Sequence, residues 1–290
     1  MKHTTKRISA LLLALTLLLT VMSGCGNTTP AAAGATAAPT AAAAEVPAAE
    51  DPAAAPADAP VIEGLTFSEE SPLKYATVFR LFRYEGGYTL IRIDNGGDFL
   101  VVPEGAAVPA KMDSSVTVLQ QPLDKIYLAA TSAMSLFAAV DALDHIRLTG
   151  TRESGWYIDA AVEAMQRGDI EFAGKYSEPD YERLIDEECD LAIESTMIYH
   201  TPKVKEMIED LGIPVLVDRS SYEQHPLGRT EWIKLYAALV GKDAEAAEFF
   251  DQQAAIITQL EGFENTGKTV AFFFVNSDGS IVIRKPTDYI

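Results

Sequence analysis

From Lys74 to Gly105 the chain reads "KYATVFRLFRYEGGYTLIRIDNGGDFLVVPEG", alternating apolar and polar residues and breaking at Gly86-Gly87. A period of two sends successive side chains to opposite faces, so the pattern predicts an antiparallel hairpin and a third strand. From Asp124 the pattern changes. The short apolar runs "KIYLAA", "HIRLTG", "IEFAG", "DLAIES" and "IPVLVD" are separated by helical stretches, which predicts a parallel sheet built from βαβ units.

The helix between the last two runs is marked by Thr201 as its N-cap, Pro202 in its first turn and Gly212 at the left-handed C-terminal position. Val204, Met207, Ile208 and Leu211 form its expected buried stripe. Trp232, Leu235, Tyr236 and Leu239 repeat that spacing up to Gly241, and a longer helix is predicted from Asp243 to Gly262. The stretch "KTVAFFFVNSDGSIVIRK" then reads as strand, turn at Asp278-Gly279, and strand. An isolated two-stranded unit holding the run Ala271 to Val275 is marginal in water, so a second α/β lobe is expected beyond Ile290.

The N-terminal region has a different character. Lys2, Lys6 and Arg7 precede an apolar stretch from Ile8 to Met22, then small residues and Cys25, the order of a secretory signal. At about 1.5 Å per helical residue that stretch reaches about 22 Å, short of the roughly 30 Å hydrocarbon core. Met22-Ser23-Gly24-Cys25 resembles a bacterial lipobox, which implies lipidation of Cys25 and an extracytoplasmic protein held at the membrane by its acyl chains. Residues 26–64 are rich in Ala, Pro and Thr, with prolines at 30, 39, 47, 52, 56 and 60 that interrupt any helix. They predict a disordered tether.

Charge excludes one class of partner. Asp and Glu number 42 against 23 Lys and Arg, a net charge of -19, so the cationic footprint of a nucleic-acid binder is missing. Once Cys25 is lipidated, Cys189 has no intramolecular partner and is expected to be a small packed thiol at a strand entrance.

In an open parallel sheet, ligands sit at the carboxyl ends of the strands. The loops there, "TSAMS", "TRESGWY", "STMIYHTP" and "DRSSYEQHPLGR", concentrate aromatic, hydroxyl, methionine, histidine and arginine side chains. The opposite loops, "ALDH", "DEEC" and "EDLG", are plain polar turns. This asymmetry points to a cleft, although single members have structural readings too. Trp156 and Tyr157 suit a core edge, His200 a capping position or solvent contact, Arg219 a carboxylate partner, Arg229 a rim position with its stem packed, and Met134 and Met197 the core.

Sharper motifs do not survive inspection. "GFENTGKT", residues 262–269, matches the phosphate-loop pattern, but that loop must follow a strand and open a helix, and the order here is reversed. Ser221, His225 and Asp218 are close in sequence without a nucleophile elbow. After leader removal only His145, His200 and His225 remain, and His145 lies at the wrong end of the sheet for a metal site with the others. No metal and no cofactor is expected.

From about Leu123 to Ile290 the order and spacing of these segments resemble the substrate-binding lipoproteins of ABC importers for iron-siderophores, haem and cobalamin. The likeness is strongest in "YSEPDYERLIDEECDLAIESTMIYHTPKVKEMIEDLGIPVLVDRSSYEQHPLGRTEWIKLYAALVGK" and "VAFFFVNSDGSIVIRKPTDYI". The resemblance implies the two-lobed periplasmic-binding-protein fold: an α/β lobe with a parallel sheet, a long interdomain helix that allows a small hinge motion, and a second lobe that is truncated here. The expected parts are a signal peptide over 1–25, the tether over 26–64, and a β-hairpin region over 65–115. The N-terminal α/β lobe follows over 116–241, the connecting helix over 242–267 and the start of the incomplete lobe over 268–290.

The family's cleft loops match Thr131, Ser132, Trp156, Tyr157, Ser195, Tyr199, Arg219, Tyr222, His225 and Arg229, with Arg284 facing from the second lobe. Its permease-docking carboxylate matches Glu182. Arginine forks and flat tyrosines suit a bulky, planar or anionic chelate. The expected protein is therefore a monomeric binder, not an enzyme. Its expected partners are a metal chelate, an ABC permease with its ATPase, and the membrane through the lipid anchor alone. The rivals are a hydrolase using Ser221 and His225, and a lipoprotein that binds divalent metal ions directly.

Overall fold

A computed structural model describes residues 59–260, 264 and 266–284. The leader with Cys25, the tether up to residue 58, and Gly262, Phe263 and Asn265 of the phosphate-loop pattern lie outside them.

Five strands open the described chain: β1 (Phe67–Glu70), β2 (Phe79–Tyr84), β3 (Thr89–Ile93), β4 (Gly97–Val102) and β5 (Val116–Gln120). They form one sheet in sequence order, antiparallel through β4, with β5 parallel to β4. The predicted hairpin about Gly86-Gly87 is β2 and β3, in register with Leu81 opposite Ile91. Two further strands flank the three that the alternation predicted. β5 pairs with β4 across residue 116, the expected boundary, so this segment belongs to the N-terminal sheet.

Both faces of this sheet are apolar. Phe79, Leu81, Ile91, Ile93, Phe99, Val101 and Leu119 face the main core. Phe82, Tyr84, Leu90, Leu100 and Val102 face outward and are covered by Ile62, Leu65, Ala106 and Met112. Burying that second face takes up the end of the expected tether: Ile62 is buried and the Tyr84 hydroxyl donates to the Pro60 carbonyl at 2.7 Å. The packed body therefore begins before residue 64.

The five apolar runs all form strands of a second sheet: β6 (Ile126–Leu128), β7 (Ile146–Thr149), β8 (Glu171–Phe172), β11 (Leu191–Ser195) and β12 (Val215–Asp218). Its order is β12-β11-β6-β7-β8, parallel throughout. Between β8 and β11, a short ribbon of β9 (Gly174–Lys175) and β10 (Glu178–Pro179) makes a side turn. The chain is thus α/β, with parallel strands buried on both faces, as their almost unbroken apolar runs require.

Seven helices are described: α1 (Thr131–Ala139), α2 (Asp159–Arg167), α3 (Tyr181–Asp186), α4 (Pro202–Asp210), α5 (Pro226–Glu231), α6 (Ile233–Val240) and α7 (Asp243–Leu260). One face of the parallel sheet shares a core with the N-terminal sheet, α1, α2, α6 and α7, centred on Phe79, Phe137, Trp232, Tyr236 and Phe250. The other face packs Ala192, Val215 and Val217 against Leu184 of α3 and Ile208 of α4. Every predicted stripe residue of α6, with Trp232 just before it, is buried.

α4 departs from expectation in two respects. Ile208 is buried, but Met207 and Leu211 stand exposed, because α4 lies on the outermost strands and presents only a narrow face. Thr201 does not cap the helix; its hydroxyl donates to the Ile198 carbonyl instead. The predicted long helix is α7, 18 residues and therefore about 27 Å in length. Beyond it, β13 (Phe273–Val275) and β14 (Ile281–Ile283) pair about a turn closed by Gly279 N–H to Asn276, at the predicted position. Every described residue from 266 to 284 is exposed, including Phe272, Phe273 and Phe274.

Candidate functional site

β7 and β8 extend the parallel sheet on one side of β6, and β11 and β12 on the other, so the strand order reverses between β6 and β11. A crevice opens at the carboxyl ends of strands at such a point. The elements that border it are the start of α1 after β6, the short turn Thr196–His200 after β11, and the loop after β12. These are three of the loops in which the sequence concentrates polar and aromatic residues.

At the carboxyl ends of β11 and β12 three side chains meet. Arg219 donates through Nη1 to the Tyr199 hydroxyl at 3.5 Å, and its guanidinium carbon lies 4.3 Å from the centre of the Tyr222 ring. Both tyrosines keep about half their surface in solvent, 43% for Tyr199 and 51% for Tyr222. The Arg219 Nε is buried and has no hydrogen-bond partner among the described residues. Its stem rests against the β3–β4 turn of the N-terminal sheet: a Cβ at Gly96 would meet Arg219 Cδ at 3.3 Å. A fork of donors between two flat, half-wet rings can hold a planar or anionic group.

Below this group, the exposed Ser132 at the start of α1 donates to the buried Asp218 carboxylate, which also accepts from the Ser220 N–H at 2.6 Å. Burial, with Asp218 nearby, pushes the Tyr236 hydroxyl well above its ordinary range. Thr131 is exposed beside Ser132. Ser195 is half-buried and accepts from the Met197 N–H, which starts the turn carrying Tyr199.

Other expected members are held in the framework. Trp156 is buried, with its indole N–H donating to the Thr151 carbonyl at 3.2 Å, whereas its neighbour Tyr157 is almost fully exposed. The His225 ring stacks on Tyr75 with centroids 4.5 Å apart, and its Nδ1 accepts from the Leu227 N–H at the start of α5. Arg229 Nε donates to the Ser220 carbonyl at 3.2 Å. Arg284 lies on the exposed hairpin with its guanidinium 6.0 Å from the Phe274 ring, and no described contact joins it to the rim. Glu182 is exposed in the first turn of α3. Met134 is core, and Met197 is exposed on the rim.

The segment after β12 contains a latch, from the loop residue Glu223 and from Glu231 at the end of α5, that the periodicity of the sequence does not single out. Residues 74–78 bend into β2 with backbone N–H groups that no described strand takes up, and two buried carboxylates accept them. Glu231 accepts from Lys74, Tyr75 and Ala76 at 2.7 to 3.0 Å, and from the Lys234 ammonium at 2.7 Å. Glu223 accepts from the Thr77 and Val78 N–H groups and from the Trp232 indole. Buried backbone donors need such acceptors, so the pair ties the N-terminal sheet to the segment after β12. A signal existed: Glu231 stands four residues from both Leu227 and Leu235, a charged residue inside an apolar stripe.

With Asp218 bound by Ser132 and Ser220, and His225 Nδ1 bound by Leu227, these groups form no Ser221–His225–Asp218 relay among the described residues. A recess of about 630 Å³ lies away from the rim, toward the amino ends of the strands, where Asp141, Asp144, Glu163 and Asp169 line it with Arg167. It is a shelf of like charges, and Arg167 is taken up by Asp169. The rim carries the more specific chemistry.

No family model matches the chain. An uncharacterised lipoprotein of Methanocaldococcus jannaschii is 22% identical over 248 residues, 75% of this chain and 58% of that protein. Among solved structures, the periplasmic haem-binding protein HutB of Vibrio cholerae is similar at TM-score 0.45 and 16% identity, covering 55% of this chain and 57% of that one. The petrobactin-binding protein YclQ of Bacillus subtilis is similar at TM-score 0.45 and 13% identity, covering 57% and 55%. The chain spans a little over half the length of these proteins.

Proposed function

We propose that this chain is the capture component of an ABC importer, anchored outside the membrane through Cys25. It binds a metal chelate at the rim and delivers it to the permease, whose ATPase drives uptake. The chelate is a ferric siderophore, haem or a cobalamin-like complex. One observation carries the reading: Arg219, Tyr199 and Tyr222 converge at the carboxyl ends of β11 and β12, half open to solvent, with Thr131 and Ser132 exposed at the start of α1. Such a group binds and orients; it offers no activated nucleophile. The exposed Glu182 suits a docking contact with permease arginines. The description of a curated relative as a lipoprotein supports the anchor.

The test is a titration of the full-length protein with haem, cobalamin and ferric siderophores of the catecholate and hydroxamate classes, followed by intrinsic Trp and Tyr fluorescence. One chelate is expected to give a saturable change and to be recovered chemically unchanged. Arg219→Ala is expected to weaken that binding about 10- to 100-fold, the worth of about 1.5–3 kcal/mol for a hydrogen bond to a charged group. Arg219→Lys restores charge without the fork and recovers only part. Silence toward every chelate overturns the proposal, and a response to bare metal ions alone transfers it to direct ion capture.

A further inference from the structure

Glu194, next to last in β11, is fully buried, and neither of its carboxylate oxygens has a hydrogen-bond partner among the described residues. Strand alternation turns it to the same face as Ala192, which packs with Tyr127, Leu184, Ile198, Ile208 and Val217. The titratable groups on this face are Tyr127 from β6, Tyr181 from α3 and Cys189 from the loop before β11. Ile208 from α4, Val217 from β12 and Ile198 from the Thr196–His200 turn are apolar, and Glu194 makes no ion pair among the described residues. Nor does the Tyr127 hydroxyl serve Glu194, because it donates to the Gly174 carbonyl at 3.0 Å. Burial pushes Glu194 up to about 8, and burial followed by the charge of Glu194 raises both tyrosines. A carboxylate here has neither donor nor counter-ion among the described residues, so the closed structure holds it as the neutral acid.

The next residues tie this group to the rim. The Ser195 hydroxyl starts the Thr196–His200 turn, Ile198 of that turn is buried in the same cluster, and Tyr199 receives Arg219. We infer that Glu194 is a proton latch under the rim: the Thr196–His200 turn opens as Glu194 gives up its proton, and opening withdraws Tyr199 from Arg219. The closed form binds the proton more tightly than the open one, in which Glu194 is an ordinary solvated carboxylate. Rising pH therefore drives opening between the two titration ranges and has no further effect above the upper one.

Amide hydrogen exchange on the full chain without ligand, corrected for intrinsic rates, reads this directly. The reporters are the Met197 and Thr201 amides, which bond Ser195 and Ile198. The opening constant is expected to rise about tenfold per pH unit from about pH 5 to about pH 8 and then level off. Glu194→Gln is expected to remove the slope, as is Glu194→Leu should the buried amide disturb folding. Equal slopes in the wild type and the folded variant overturn the inference. So does a carbon-detected titration of the Glu194 carboxyl with its midpoint in the ordinary carboxylate range, a measurement that needs no variant. None of these readouts involves a ligand, so they stand apart from the chelate titration.

Discussion

Glu231→Ala tests how the two sheets are held together. The carboxylate is fully buried and accepts three backbone N–H groups and the Lys234 ammonium. Removing it leaves four donors without that acceptor. Lys74 and Lys234 reach solvent and recover water, so they are left out of the sum. The Ala76 bond is buried and the Tyr75 bond part-buried, beside a Tyr75 ring that packs on His225 and Phe250. At about 1.5–3 kcal/mol for each charge-assisted bond, these two account for about 3–6 kcal/mol. Against a stability of about 5–15 kcal/mol for a domain, that loss frees the segment ahead of β2. Urea unfolding followed by Trp232 fluorescence is expected to show an unfolding free energy lowered by an amount in this range. Exchange at Tyr75 and Ala76 is expected to accelerate more than exchange at Ile193. A shift below about 1 kcal/mol, with Tyr75 and Ala76 still protected, would refute the latch.

Three further outcomes follow from the packing. Gly174 has a φ of +81°, and a Cβ there would lie 2.3 Å from the Glu178 carbonyl oxygen, so Gly174→Ala is expected to cost about 2–4 kcal/mol in thermal or urea unfolding. A neutral shift would mean that the β9–β10 ribbon yields freely. Burial pushes the Cys189 thiol up to about 12, so at pH 8 its disulfide-exchange labelling is expected to run about a thousandfold slower in the native protein than in urea; equal rates would place the thiol in solvent. The exposed Phe273 and Phe274 leave apolar surface on both faces of β13, and changing both to Ser is expected to lower binding of a hydrophobic dye without moving the unfolding midpoint of the α/β body. A midpoint that falls with them would show the hairpin to be part of that body.

The strands and helices were legible because periodicity is a local property. The five apolar runs became the five parallel strands, and Trp232, Leu235, Tyr236 and Leu239 became buried positions as their spacing required. The placing of the loops was legible too: the aromatic and arginine-bearing loops after β6, β11 and β12 stand at the carboxyl ends of the parallel strands. What a particular polar side chain does was not legible. Arg219 and His225 lie six residues apart in one loop, yet one reaches the rim and the other is stacked beneath Tyr75, 150 positions away in the chain. Trp156 and Tyr157 are adjacent, and backbone direction alone buries the first and exposes the second.

By itself, then, the sequence determined the elements and their order along the chain, because these follow from side-chain period and chain connectivity. Tertiary structure alone decided that Glu223 and Glu231 accept the backbone donors of residues 74–78, that β5 joins the first sheet, and that Glu194 is sealed without a partner among the described residues. The reason is physical. Whether a carboxylate is solvated, paired or stranded depends on which distant segment arrives opposite it, and no local pattern records that arrival.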